Sequence, residues 1–225
     1  MTTRMGTEDA ADARRKEIVA AALVLLDEDG LDRLSLRRLA THLGMHAPGL
    51  YWYIESKQAL INLMSKAIIE EGLAHLGWLV EGQTWEDWLV ELARTVRSAL
   101  LQRRDGARVV AGSYLLHTAA ITPFIERALE ILEAAGFPRL VALGGTMTLI
   151  RFAIGSALDE QASPFHGSAE KEKRRAVLPA IDAERWPRTA DGIRQVFDGR
   201  VRGRDEMFRW GAMLIVRGMG QTPGR

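Results

Sequence analysis

The chain has 225 residues, of which 30 are Lys or Arg and 29 are Asp or Glu, so the net charge of +1 says nothing about its partners. It has no cysteine, which excludes a disulfide framework and a thiolate metal site and makes a reducing cytoplasm the expected compartment. The opening MTTRMGTEDAADARRKE lacks the apolar run of a leader, and no segment has the about 18 to 20 uninterrupted apolar residues of a transmembrane helix, so no membrane partner is expected.

In chain order, residues 1–10 are polar and are expected to form a mobile arm. Arg4 offers a DNA contact there, and a plain tail is the alternative. A helix is predicted over 12–29, with Ile18, Ala22, Leu25 and Leu26 inward and Gly30 as its stop. Residues 34–57, LSLRRLATHLGMHAPGLYWYIESK, then read as two short helices joined by a tight turn. Ser35 is an N-cap; Leu36, Leu39, Ala40 and Leu43 follow at i, i+3, i+4 and i+7; Gly44 allows the left-handed stop. Pro48 restarts helix where a missing N–H costs nothing, with Ala47, Leu50 and Ile54 on the buried side. His46, Pro48, Gly49, Tyr51, Trp52 and Tyr53 are left pointing outward.

An idle surface helix would carry Lys, Glu and Gln there, whereas exposed aromatic residues call for a partner. A helix-turn-helix with its second helix in the major groove of double-stranded DNA fits this pattern. Arg37 and Arg38 supply a bidentate guanine contact and a phosphate contact, and Ala47 and Gly49 permit close approach. Pro48 and Tyr51 meet thymine methyls. The alternative is a hairpin with Tyr51 and Trp52 buried in an all-α core. Residues 1–60 hold 8 basic and 9 acidic side chains, and only 33–57 is locally positive, with Arg33, Arg37, Arg38 and Lys57 against Glu55. Affinity therefore has to come from short-range contacts and dimerisation. The DNA-binding set is Ser35, Arg37, Arg38, His46, Ala47, Pro48, Gly49, Tyr51, Trp52, Tyr53 and Lys57.

Ser56 caps a connecting helix over 57–72, after which Glu81, Gly82 and Gln83 form a polar break. Thr84 and Asp87 mark the start of a long helix to about Arg103, with Trp85, Trp88, Leu89, Leu92, Val96, Ala99 and Leu100 as a wide apolar face. Residues 105–112 read as a helical turn followed by loop. A helix then runs from Thr122 and Pro123 to Gly136. The next, 138–161, carries Gly144, Gly145 and Gly155; helical glycine costs about 1 kcal/mol against alanine, so something should approach closely. Residues 163–187 are expected to be a charged, proline-broken loop, with EKEKRR (170–175) solvated. Short and final helices are predicted over 193–197 and 205–219. His75, His117 and His166 lack metal-ligand spacing, so no metal is expected.

At this point LSLRRLATHLGMHAPGLYWYIESKQAL resembles the N-terminal domain of the TetR family of transcriptional regulators, and LYWY is most similar to the tetracycline repressor branch. The likeness continues through TWEDWLVELARTVRSALLQRRDGARVVAG (84–112), AAGF (134–137), ALDEQ (157–161) and FRWGAMLIVRGM (208–219). It implies an all-α fold: a mobile arm (1–10), a three-helix helix-turn-helix module (11–56), a connecting helix and linker (57–80), and a larger ligand-binding and dimerisation domain (81–225). It also implies a homodimer built from helices 138–161 and 205–219. Phe208, Trp210, Met213, Leu214, Ile215 and Val216 cover more of the last helix than one buried stripe needs. Two reading helices about 34 to 36 Å apart would match a palindromic operator.

By the same resemblance, the tetracycline repressor holds its drug as a magnesium chelate through histidine, with an Asn, a Phe and an Arg-Pro pair near the drug. The matching positions here are Leu73 and Val110 for the two histidines, Leu92 for Asn, Val96 for Phe, and Tyr114-Leu115 for Arg-Pro. The expectation is a hydrophobic or planar aromatic effector bound without magnesium or other cofactor. Its chamber would be lined by Leu73, Trp88, Leu92, Val96, Val110 and Phe152, with Tyr114, His117, Thr118, Asp159 and Glu160 as polar anchors. Each of these also reads as ordinary core. A hydrolase or transferase would need a nucleophile, a base and an oxyanion site, and no such set stands out. A ligand-independent regulator or activator of the same fold stays open.

Overall fold

The computed structural model describes residues 2–113, 120–163, 181–197 and 204–220. Their regular structure is helical throughout: α1 (Thr2–Asp29), α2 (Leu36–His42), α3 (Ala47–Tyr51), α4 (Lys57–Leu73), α5 (Trp85–Leu101), α6 (Gly106–Ala111), α7 (Thr122–Ala134), α8 (Arg139–Ala162), α9 (Pro187–Phe197) and α10 (Arg204–Met219).

The head is α1 to α3. Ser35 Oγ accepts the Arg38 amide at 3.2 Å and fixes the start of α2. Gly44, at φ +65°, ends it: Met45 N–H reaches the Ala40 carbonyl at 2.8 Å and Gly44 N–H the Thr41 carbonyl at 3.1 Å. These paired bonds satisfy the last carbonyls and turn the chain into α3. Ile18, Ala22, Leu26, Leu39, Leu50 and Ile54 are buried in the head.

The body is layered around α5, whose Trp88, Leu89, Leu92, Val96 and Leu100 are buried. The Thr84 hydroxyl accepts the Asp87 amide at 3.1 Å and donates to the Asp87 carboxylate at 2.8 Å, so the predicted cap is present with the carboxylate bonded to the hydroxyl. α5 packs against α4, α8 and α10, and α8 also packs against α7. Small residues set these crossings. A Cβ on Gly72 would lie 2.1 Å from that of Ala99, and one on Gly145 would lie 2.3 Å from Met219. By length and composition α8 could cross a membrane. Here it packs against other helices and carries Arg151, Asp159 and Glu160.

Four expectations need correction. Residues 2–10 continue α1 in place of a separate arm, in a stretch with Ala10, Ala11 and Ala13 and the i,i+3 pairs Arg15–Asp12 at 2.7 Å and Arg14–Glu17 at 2.6 Å. α3 ends at Tyr51, so Trp52 and Tyr53 belong to the following turn. Tyr53 is half-buried against the core instead of facing outward. The helix predicted over 193–197 begins at Pro187, because a proline in the first turn starts a helix as readily as it breaks one. Asp182 prepares that start by accepting the Glu184 and Arg185 amides at 3.1 and 3.0 Å.

Candidate nucleic-acid interface and effector chamber

The outer side of the head gathers most of the predicted DNA-binding set. Ser35, Arg37, Arg38, His46, Pro48, Gly49, Tyr51, Trp52 and Lys57 are exposed, and Ala47 is half-buried beneath them. Tyr51 is 52% exposed and Trp52 78%. The Trp52 ring meets the Tyr53 ring edge-on at 5.6 Å, so the half-buried tyrosine props the tryptophan outward. Arg38 stays exposed while its guanidinium is paired with Asp29 at the end of α1. No ion pair holds the Arg37 side chain among the described residues, which leaves it as the guanidinium available to a base edge or phosphate.

Below the head lies a polar junction that the sequence reading did not single out. Arg103 donates to Asp27 at 2.7 Å and to Glu71 of α4 at 3.0 Å. The Arg104 amide and guanidinium donate to Asp27 and to the Glu28 carbonyl at 3.2 and 2.8 Å. Asp105, left-handed at φ +56°, does not cap its own helix; its carboxylate accepts the Leu31 amide at 2.8 Å. Arg108 grips Asp32 at 2.7 and 3.3 Å and Asp105 at 3.2 Å. This holds the Asp32 carboxyl below its ordinary range and raises the Arg108 guanidinium further above its own. The bonds that reach Asp27, Glu28, Leu31 and Asp32 join residues more than 70 positions apart, so no local pattern announced them. Gln58 and Ser65 tie α4 to the far end of α6, through the Gly112 carbonyl at 2.9 Å and the Ser113 hydroxyl at 2.8 Å.

Of the predicted chamber residues, Leu73, Trp88, Leu92, Val96 and Val110 are fully buried. Leu73 and Val110 are hydrocarbon and cannot ligate magnesium, so the chelate chemistry of the tetracycline repressor does not fit these positions. Trp88 keeps its indole N–H satisfied at the Gly77 carbonyl, 3.0 Å away. Tyr114, His117 and Thr118 lie outside the described residues, as do His166 and the 170–175 run. Glu160 and Phe152 meet in a cluster between α5, α8 and α10. Glu160 accepts the buried Arg97 guanidinium at 2.6 Å, and Arg97 also reaches Asp205 at 2.7 Å. Phe152 stacks on Phe208 at 5.1 Å, and Arg97 lies 5.0 Å from the Phe208 ring centre. A buried guanidinium needs carboxylate partners, so Arg97 draws Glu160 into a clasp joining α5, α8 and α10. The adjoining cleft of about 880 Å³ is lined by Asp87, Glu91, Arg94, Arg97 and Asp205 together with Val90 and Phe208, so charged side chains predominate among its residues.

Elsewhere on their surfaces, α8 and α10 show apolar side chains to solvent. Leu140 is 81% exposed, Trp210 58% and Leu214 59%, while Phe208 and Val216 of the expected interface are buried within the protomer. Gly144 and Gly155 have nothing within 4 Å of a would-be Cβ, so the predicted close approach is met only at Gly145.

Comparison with known proteins agrees with this geometry. Residues 18–64 match the family described as bacterial regulatory proteins, tetR family, and residues 80–222 match the tetracyclin repressor-like, C-terminal domain. The class A tetracycline repressor protein from transposon 1721 of Escherichia coli is 34% identical over 90% of this chain and 88% of its own. A possible TetR family transcriptional regulator from Streptomyces coelicolor A3(2) superposes with a TM-score of 0.77 at 30% identity, covering 92% of this chain and 98% of its own. A variant of TetR from Acinetobacter baumannii AYE, in complex with minocycline, superposes at 0.71 with 29% identity over 92% of each chain. With family matches at both ends of the molecule and the helix-turn-helix built as described, the chain belongs to the TetR family of transcriptional regulators.

Proposed function

We propose that the protein is a cytoplasmic homodimeric repressor that binds a palindromic operator and releases it when a hydrophobic or planar aromatic molecule enters the body. The observation that carries the reading is the face of α3 and the turn after it. Tyr51 and Trp52 stand exposed there, and Arg37 of α2 is exposed with no ion pair among the described residues. The exposed apolar faces of α8 and α10 supply the self-complementary surface that a two-fold dimer requires.

The mechanism is a two-state coupling. In the operator-binding state the α5–α6 loop holds the end of α1 while Gln58 and Ser65 hold α4 to the end of α6. An effector beside Leu92, Val96 and Val110 that displaces α6 therefore pulls on α1 and α4 together. To lower operator affinity a thousandfold, the effector has to prefer the released state by about 4 kcal/mol. A relative solved with minocycline shows that this fold accommodates a planar polycyclic ligand. The apolar replacements at Leu73 and Val110 favour an effector that needs no metal.

The test is a mobility-shift assay on the promoter beside the protein's own gene, repeated with a panel of hydrophobic compounds. A shift abolished by one of them supports the reading. A shift that none of them alters favours a ligand-independent regulator. Tight, EDTA-sensitive tetracycline binding in a calorimetric titration would refute the metal-free effector.

A further inference from the structure

We propose that the α5–α6 loop and the first turn of α6 set which operator spacing the dimer accepts, with Arg103, Arg104 and Asp105 of the loop and Arg108 of α6 acting as positioning residues that lock each head at one angle to the body. The inference rests on the dimeric, operator-binding reading above and names the residues that impose its geometry.

The grip is directional. Asp27, Glu28 and Leu31, spread from the last turn of α1 into the following turn, are each bonded to the loop, and Asp32 is bonded to Arg108 of α6. Arg103 carries the brace on to Glu71, so α1, α4 and the end of α5 meet at one guanidinium. Arg38 extends it into α2 through Asp29. The carbonyl end of α1 carries partial negative charge next to three acidic side chains, Asp27, Glu28 and Asp29, and Arg103 and Arg104 are the complement. Asp105 adopts the left-handed backbone and leaves its own helix uncapped while it bonds the Leu31 amide, which marks a residue committed to the other part of the molecule. Apolar packing of α1 on α4 holds the head in place but constrains rotation less tightly than bonds from several directions.

One base pair added to the centre of a palindrome moves the half-sites apart by about 3.4 Å and turns one against the other by about 35°. A braced head cannot follow this change, whereas a head held by apolar contact alone can swivel toward it.

The experiment starts by letting the full-length wild-type protein select its site from a random double-stranded library. Binding is then measured on that site and on versions with one central base pair added or removed. The variants are Arg103→Ala, Arg108→Gln and the conservative Arg103→Lys, each checked for dimerisation by ultracentrifugation and for folding by thermal melting. Asp32→Asn replaces Arg103→Ala if that variant does not fold. The expected result is that single variants stay within about tenfold of wild type on the parent site, while the preference for it over altered spacers shrinks about tenfold or more. Arg103→Lys, which keeps one charged donor for Asp27 and Glu71, should retain more of the preference than Arg103→Ala. Equal loss of affinity on all three spacers, or an unchanged preference, overturns the inference and leaves the proposed function intact. Selection of a site without two-fold symmetry by the wild type overturns the proposed function itself, and the spacer inference with it.

Discussion

Arg37 and Arg38 are neighbours in sequence with different fates, and the difference shows what a single residue contributes to this surface. Arg38 pairs with Asp29 and belongs to the internal framework, while Arg37 keeps its charge for the outside. A base contact contributes about 1 to 3 kcal/mol, and a symmetric dimer loses it twice, so Arg37→Ala and Tyr51→Ala should each lower operator affinity by about a hundredfold or more. Sedimentation and melting of both variants should match wild type, because neither side chain supports the core. Asp32 gives a second test through pH. Its hydrogen bonds and charge interaction with Arg108 lower its folded pKa below 3.8, so its contribution is fully present above that value and is lost as pH falls through the lowered folded value. The difference in melting temperature between wild type and Asp32→Asn should therefore be constant from neutral pH down to about 5 and disappear under more acidic conditions, as followed by circular dichroism.

Elements are placed by small residues as much as by large ones. Gly72 of α4 lies against Ala99 of α5 so closely that a Cβ would meet both its side chain and, at 3.0 Å, its backbone. Gly72→Ala must push the connecting helix away, with an expected destabilisation of about 1 to 3 kcal/mol in urea unfolding, although alanine is the better helix former. An unchanged midpoint would mean that α4 does not sit this close to α5. The amphipathic stripes, Ser35, Ser56 and Thr84 as caps, and the glycine stops were all legible in the sequence because each depends on residues within one or two turns. The extent of α9 was not, since Pro187 reads equally as a breaker and as a first-turn residue. The clasp of Arg97 with Glu160 and the grip of Arg108 on Asp32 were hidden for another reason. They join residues 63 and 76 positions apart, and a lone charged side chain does not reveal its partner.

At the scale of the molecule, the proposed operator has two half-sites, and a single head can meet only one of them. Leu140, Trp210 and Leu214 are too exposed and too apolar to be idle on a lone protomer, and they lie on the two helices that the body leaves partly uncovered. An isologous interface brings each of these side chains against its symmetry mate or a close neighbour, so a charge placed there enters twice and is left unpaired in the contact. Leu214→Arg, and separately Trp210→Asp, should therefore yield a folded monomer by ultracentrifugation, since both side chains already face solvent in the protomer. Operator binding should fall much further than dimerisation of the heads on DNA can recover, because a single head on a nearly neutral chain has little long-range attraction to add. A monomeric variant that still bound the full operator at wild-type affinity would show that the α8 and α10 faces do not couple the two heads.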